Sequence, residues 1–417
     1  MHHSNCPKQL PTKPRPTWEV ADIIRIFGDE YRRDYNPPGD HRQIMHLLEI
    51  CRTISLGGHI EKCDTCSLLY NAYNSCRNRH CPKCQTLTKE KWLQDRKREL
   101  LPAKYFHAVF TIDHKLNPLI LINKKVCFDI LFRSVNETLQ EFAKDPRWKL
   151  GGQLGFIAIL HTWSQVLMEH FHLHCVIPAG ALSFDRTRWI SPADDTFLFH
   201  VGCLSQVFRH KFLDHLKKAY RNNELIFPGR IAPLKDRREF YNFINLLYDK
   251  EKKWVVYLKH PFAGPEKVLE YLARYTHRVA ISNNRIISVK NGKVIFSYKK
   301  RSEDYRSKPL TVEGPEFIRR FLLHTLPSGF MRIRYFGFLS NVSKKHSIPL
   351  IRQSLGQSPD LPEKVELSVQ EMMLNLTGID ITRCPRCKIG TMMNIGEFSN
   401  RTPRCHGPPY QQMASQQ

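Results

Sequence analysis

The chain has 417 residues, and 64 Lys and Arg against 39 Asp and Glu give it a formal net charge of +25. That length allows two or three domains, because single cores seldom grow past about 250–300 residues, and a positive surplus spread along the chain points to a polyanionic partner. No stretch approaches the roughly 18–20 uninterrupted apolar residues of a membrane span, and the opening MHHSNCPKQLPTKPRPTW carries no apolar leader. Cytoplasmic location without a membrane partner is therefore expected.

In chain order, residues 1–16 form a Pro- and Lys-rich basic arm. Helical patterns follow from Trp18 to about Tyr35 and from His41 to Cys51, then a cysteine cluster and a charged helix, QTLTKEKWLQDRKREL, which leads out of a first helical and metal-binding domain (17–101). The next domain (102–304) alternates strands and helices. It begins with strand YFHAVFTI, a long helix over 117–144, and strands GFIAILHTW and FHLHCVIPAGAL. After helices near 203–221 and 240–249 come strand WVVYL, helix PEKVLEYLARYTHR and the pair RIISVK/KVIFSYK, joined by an Asn291–Gly292 turn. This predicts an α+β domain on a mainly antiparallel sheet. A C-terminal extension (305–388) contains one clear helix (316–324) and a basic RIRYFGF segment, and a polar tail (389–417) is expected to be unstructured.

Cys63-Asp-Thr-Cys66 and Cys81-Pro-Lys-Cys84 are CxxC turns separated by 14 residues. This approaches the spacing of a zinc ribbon in which each tight turn directs two thiolates at one tetrahedral ion. Cys76 and His80 add a CxxxH pair between the turns, and Cys51 and His59 lie just upstream, as ligands of a second ion or substitutes in the first. A closed site of this kind is structural and contributes folding energy. Arg77 and Arg79 among the ligands are candidate DNA contacts, the alternative being a solvated basic surface. Cys384-Pro-Arg-Cys387 with Cys405-His406 offers enough ligands for another ion, but in the polar tail.

In Glu169-His170-Phe171-His172-Leu173-His174 the histidines alternate. Strand geometry puts His170, His172 and His174 on one face and leaves Phe171, Leu173 and Cys175 to anchor the other. Such a strand suits a metal, with His161 at the end of the preceding strand as the best third ligand and His170 and Glu169 behind it. The ion would polarise a scissile phosphate. In PEKVLEYLARYTHRVA, Tyr271 and Tyr275 stand one turn apart, between a core face that includes Val268 and Val279 and a cationic flank of Lys267, Arg274 and Arg278. Taken alone they are core-edge packing residues. Beside a metal and a phosphate-binding surface, they become candidate nucleophiles, since a phenol with a pKa near 10 needs such a site to react.

His172-Leu-His174, YLARYTHRVAISN downstream and CRNRHCPKCQ upstream together resemble the two-tyrosine HUH transposases of rolling-circle insertion sequences, over about residues 20–350. The resemblance implies an HUH-type ferredoxin-like palm preceded by a small zinc-binding domain. It implies Mg2+ or Mn2+ on His172 and His174, structural Zn2+, and tyrosines Tyr271 and Tyr275 that form 5′-phosphotyrosine links and leave a free 3′-OH. It also implies single-stranded DNA at element ends and target, no nucleotide cofactor, and a bacterial, nucleoid-associated setting. Phe171 stands where the family pattern would have proline. The rival expectations are an HUH replication initiator or relaxase, a metal-free tyrosine recombinase, and a non-catalytic zinc-dependent DNA-binding protein.

Overall fold

Two amphipathic helices open the described chain, a computed structural model that covers residues 16–194, 196–248, 254–259, 267–268, 279–299 and 306–399. Helix α1 (Val20–Tyr35) starts at a capping box between Glu19 and Asp22, stops at left-handed Asn36, and buries Ile23, Ile24, Phe27 and Tyr31. Helix α2 (Gly39–Glu49) packs beside it through Ile44, Met45 and Leu48. The antiparallel strands β1 (Gly58–Cys63) and β2 (Leu69–Tyr73) follow, and α3 (Gln85–Arg98) leads out.

Past α3 the chain runs through β3 (Tyr105–Thr111), α4 (Asn117–Ile122), α5 (Lys124–Lys144), β4 (Gly152–Gln153), β5 (Phe156–Trp163), β6 (Glu169–Pro178), β7 (Ala181–Ser183) and β8 (Trp189–Ile190). Then come α6 (Val201–Arg221), α7 (Arg237–Leu247) and β9 (Val256–Lys259). The order β3–α5–β5–β6–α6–β9, with neighbours β5–β6–β3–β9 all antiparallel, is the βαββαβ arrangement of a ferredoxin-like palm. The fold is therefore α+β, as expected. One helix was expected over 117–144, but the chain breaks at Asn123, whose side-chain amide donates to the Leu119 and Ile226 carbonyls and whose oxygen accepts from the Ile226 N–H. Alternation along the strands splits the sheet cleanly. Phe106, Phe110, Leu160, Phe171 and Leu173 bury one face against Phe128, Phe132, Phe208 and Phe212 of α5 and α6.

Next are β10 (Ile286–Lys290), β11 (Lys293–Lys299), β12 (Ser307–Glu313), α8 (Gly314–Leu323), β13 (Ile333–Phe336), α9 (Lys344–Ser354), α10 (Val369–Thr377) and β14 (Met392–Phe398). Asn291 and Gly292 take positive φ of 51° and 76°, the backbone of a type I′ hairpin turn between β10 and β11. Helix α1 lies on α8, where Gly314 leaves room for the Phe27 ring, so the helices α1 and α2 share one core with β10–β12 and α8.

Contacts cross three of the expected boundaries. Residues 17–101 do not close a core of their own, because the apolar stripes of α1 and α2 are completed by residues 280–322. The division at 304/305 leaves outside the palm a strand that belongs to it, β13, which pairs with β5 as the edge strand. Its basic sequence is satisfied internally: Arg334 pairs with Asp129 and lies 4.2 Å over the Phe132 ring, while Tyr335 Oη accepts from Trp92 and Arg96 of α3. Finally, the tail expected to be unstructured from 389 instead supplies β14, which pairs with β1.

Candidate active site and metal centres

The sheet face opposite α5 and α6 carries the histidines. In register, Thr111 of β3, His172 of β6 and His161 of β5 form one row across three strands, and Val109, His174 and Ile159 form the next. His161, His172 and His174 are buried, at 3%, 8% and 8% exposure, and one nitrogen from each lies within 4.8 Å of the others. The Nε2 atoms of His172 and His174 are 3.0 Å apart, close to the separation of about 3 Å that two nitrogens have when each sits 2.0–2.1 Å from one ion. The three rings therefore fit a divalent cation.

The outer nitrogens of His172 and His174 are held. His172 Nδ1 is 2.7 Å from the His170 carbonyl, to which it donates, and this leaves Nε2 as the free lone pair. His174 Nδ1 is 2.9 Å from Nε2 of His107 on β3, and the two rings stack at 5.1 Å with 9° between planes. His161 stacks on Trp163. Burial, with neighbouring imidazoles adding to it, pushes His172 down to about 3 and His174 well below its ordinary value. Burial likewise lowers His107 to about 3. His107, His172 and His174 are therefore neutral at physiological pH, the form in which an imidazole ligates metal. His170, the expected reserve ligand, turns instead toward His114, 3.1 Å away. His107 was missed by sequence reasoning; its one signal is that it shares strand parity with Val109 and Thr111, which face the histidine strand.

Tyr271, Tyr275, Arg274 and Arg278 lie outside the described residues. The start of their segment is described: Lys267 is exposed, and Val268 is fully buried in the cluster that contains Ile159 and Val176, two residues on the histidine face. Among the other candidate DNA contacts, Arg77 is exposed with φ of 52°, whereas Arg79 donates to the Phe330 carbonyl at 2.7 Å and ties the cysteine segment to the palm.

The cysteines group differently from the expected ribbon. Cys63 and Cys66 are not joined with Cys81 and Cys84. Instead Cys51, Cys76, Cys81 and Cys84 form one cluster, and Cys63, Cys66, Cys384 and Cys387 a second. In the first, sulfur separations are 3.6–3.7 Å, against about 3.8 Å for thiolates at 2.3 Å around a tetrahedral zinc. Hydrogen bonds from Cys76 and Cys81 hold the Cys51 thiol down at about 6, and the same crowding lowers Cys84 while raising Cys76 and Cys81. His80 joins neither cluster. It lines a small cavity with His324 and Arg332, and burial beside Arg332 and Arg79 pushes it down to about 3. His59 pairs with Glu61. Cys384 and Cys387 meet Cys63 and Cys66; Cys405 and His406 lie outside the described residues.

Residues 155–346 match the family model described as "Putative transposase", and residues 23–112 match "Transposase zinc-binding domain". A Sinorhizobium fredii protein named "Putative transposase y4qJ" is 45% identical over 392 residues, which cover 93% of this chain and 98% of that protein. The chain belongs to the two-tyrosine transposase family. A more distant relative, "Transposase for insertion sequence element IS801" of Pseudomonas savastanoi pv. phaseolicola, is 26% identical over 341 residues, 81% of this chain and 79% of that protein. No solved structure matches the chain. As a transposase it is an enzyme with DNA as its partner, and its zinc-binding domain accounts for cysteine clustering. No described helix is long and apolar enough to cross a membrane.

Proposed function

We propose that this transposase cuts and rejoins single-stranded DNA, at the ends of its insertion element and at the target, by tyrosine attack on the histidine face of the palm. The observation that carries the reading is the convergence of His161, His172 and His174 on the sheet face where Val268, three residues before Tyr271, is buried. A divalent ion, Mg2+ or Mn2+, held by these imidazoles supplies charge that polarises the scissile phosphate. The neutral state of His172 and His174, and the hydrogen bonds from them to the groups behind, keep their lone pairs aimed at one point.

The phenol oxygen of Tyr271 or Tyr275 attacks phosphorus, the bond from phosphorus to the 3′-oxygen breaks, the phenol proton passes to solvent, and the leaving oxygen takes up a proton as a free 3′-OH. The resulting 5′-phosphotyrosine keeps the phosphodiester bond energy, so attack by a 3′-OH rejoins DNA without a nucleotide cofactor. Two nucleophiles let one strand end stay attached while the second is cut. Lys267, Arg274 and Arg278 bind phosphates beside the tyrosines, and Arg77 extends that track over the zinc-binding domain. Working on DNA in a bacterial cell, the enzyme is cytoplasmic and nucleoid-associated.

The test is incubation of the full chain with labelled single-stranded oligonucleotides from the element's ends, in Mn2+ or in chelator, followed by denaturing electrophoresis. A covalent adduct that needs the metal and vanishes in His172→Ala/His174→Ala is expected. DNA binding without any adduct would overturn the reading in favour of a non-catalytic DNA-binding protein.

A further inference from the structure

The zinc-binding family match ends at residue 112, far short of the turn Cys384–Cys387. We infer that Cys63, Cys66, Cys384 and Cys387 bind one zinc ion and that this ion clasps the C-terminal ribbon to the β1–β2 hairpin, joining segments more than 300 residues apart. Four thiols lie within 4.8 Å of one another, with cross-pairs Cys63–Cys387 at 3.7 Å and Cys66–Cys384 at 3.6 Å. Those separations match about 3.8 Å for a tetrathiolate zinc site and are far beyond the bond of about 2.05 Å in a disulfide.

The two CxxC turns are also built alike. The Cys66 N–H points at Cys63 Sγ and the Gly390 N–H at Cys387 Sγ, each at 3.4 Å, which supports thiolate charge. Asp64 stitches the turns together, accepting from the Thr391 N–H at 2.9 Å while its own N–H donates to the Thr391 carbonyl at 3.1 Å. Gly390 is required there, because a Cβ would stand 2.5 Å from both Cys63 Sγ and Asp64 Oδ1.

Apolar packing gives the ribbon little hold. Among the described residues beyond 355, only Met372, Cys384 and Gly390 are buried, and Met393 and Ile395 of β14 are more than half exposed. Strand pairing with β1 across so small a core leaves the metal as the dominant tether. The N-terminal zinc-binding domain is therefore completed by the far end of the chain.

Zinc content of the full chain, measured by native mass spectrometry, tests this directly. Two ions are expected in the parent, one in C63S/C66S, one in C384S/C387S, and still one in the fourfold variant, because both pairs serve the same ion. Loss of two ions in the fourfold variant, or retention of both in C384S/C387S, would overturn the assignment. A second measurement needs no substitution: after limited trypsin cleavage at Lys364, in the exposed stretch 356–367, the C-terminal fragment is expected to co-elute with the rest in zinc and to separate on adding a strong chelator. Separation in zinc, or retention after complete zinc removal, contradicts the clasp.

Discussion

His107 is a positioning residue for His174, and His107→Phe isolates that role. The phenyl ring keeps a flat aromatic side chain, slightly larger than imidazole, at a position that is 4% exposed, and it removes the acceptor 2.9 Å from His174 Nδ1. Two costs follow. Loss of a partner behind a metal-ligating histidine weakens metal binding by about 10–100-fold, or about 1.4–2.7 kcal/mol. A buried N–H left unsatisfied lowers stability by about 1–3 kcal/mol. His107→Gln offers a side-chain carbonyl and is expected to recover most of both. The assay is Mn2+ titration of the full chain by calorimetry, with urea unfolding and circular dichroism on the same samples. Folded His107→Phe with Mn2+ affinity equal to the parent's would refute the proposed site, as would equal losses in His107→Phe and His107→Gln.

Other outcomes follow from the same contacts. Gly337 has φ of 57°, and a Cβ there would overlap the Leu154 carbonyl oxygen, so Gly337→Ala should destabilise by about 3 kcal/mol in urea unfolding. Burial lowers His324 to about 4 against about 6.5 in an unfolded chain. The unfolded state therefore takes up the proton first, so this contribution is complete above about pH 6.5 and falls as pH drops toward 4. At pH 5 the loss amounts to about 2 kcal/mol, visible as a shallower stability loss from pH 7.5 to 5 in His324→Gln. Cys84→Ser should release one zinc ion and lower Tm, since Cys51 and Cys81 of that cluster are buried against α1 and α2.

The palm was legible because its strands alternate and its helices are strongly amphipathic, as was the histidine face, because three alternating imidazoles are hard to place otherwise. His107 was not. A single histidine in YFHAVFTI resembles a core residue until β3 is known to pair with β6. The CxxC turns announced metal, but a turn of two thiols carries no signal for which other turn completes it, and proximity in sequence favoured Cys81 and Cys84 over Cys384 and Cys387. RIRYFGF stands out in the sequence only as a basic segment, because Arg334 and Tyr335 find Asp129, Phe132, Trp92 and Arg96 only after the chain has folded. The shared core of α1, α2 and α8 was hidden for the same reason: an apolar helical stripe reveals that it is buried, not against what.

The central claim is tyrosine chemistry at the histidine face, and the most direct measurement is to digest the Mn2+-dependent protein–DNA adduct and map the modified peptide by mass spectrometry. The account predicts a nucleotide joined through its 5′-phosphate to Tyr271 or Tyr275, and no adduct in Tyr271→Phe/Tyr275→Phe. A linkage through a 3′-phosphate, or an adduct on any other residue, would contradict it.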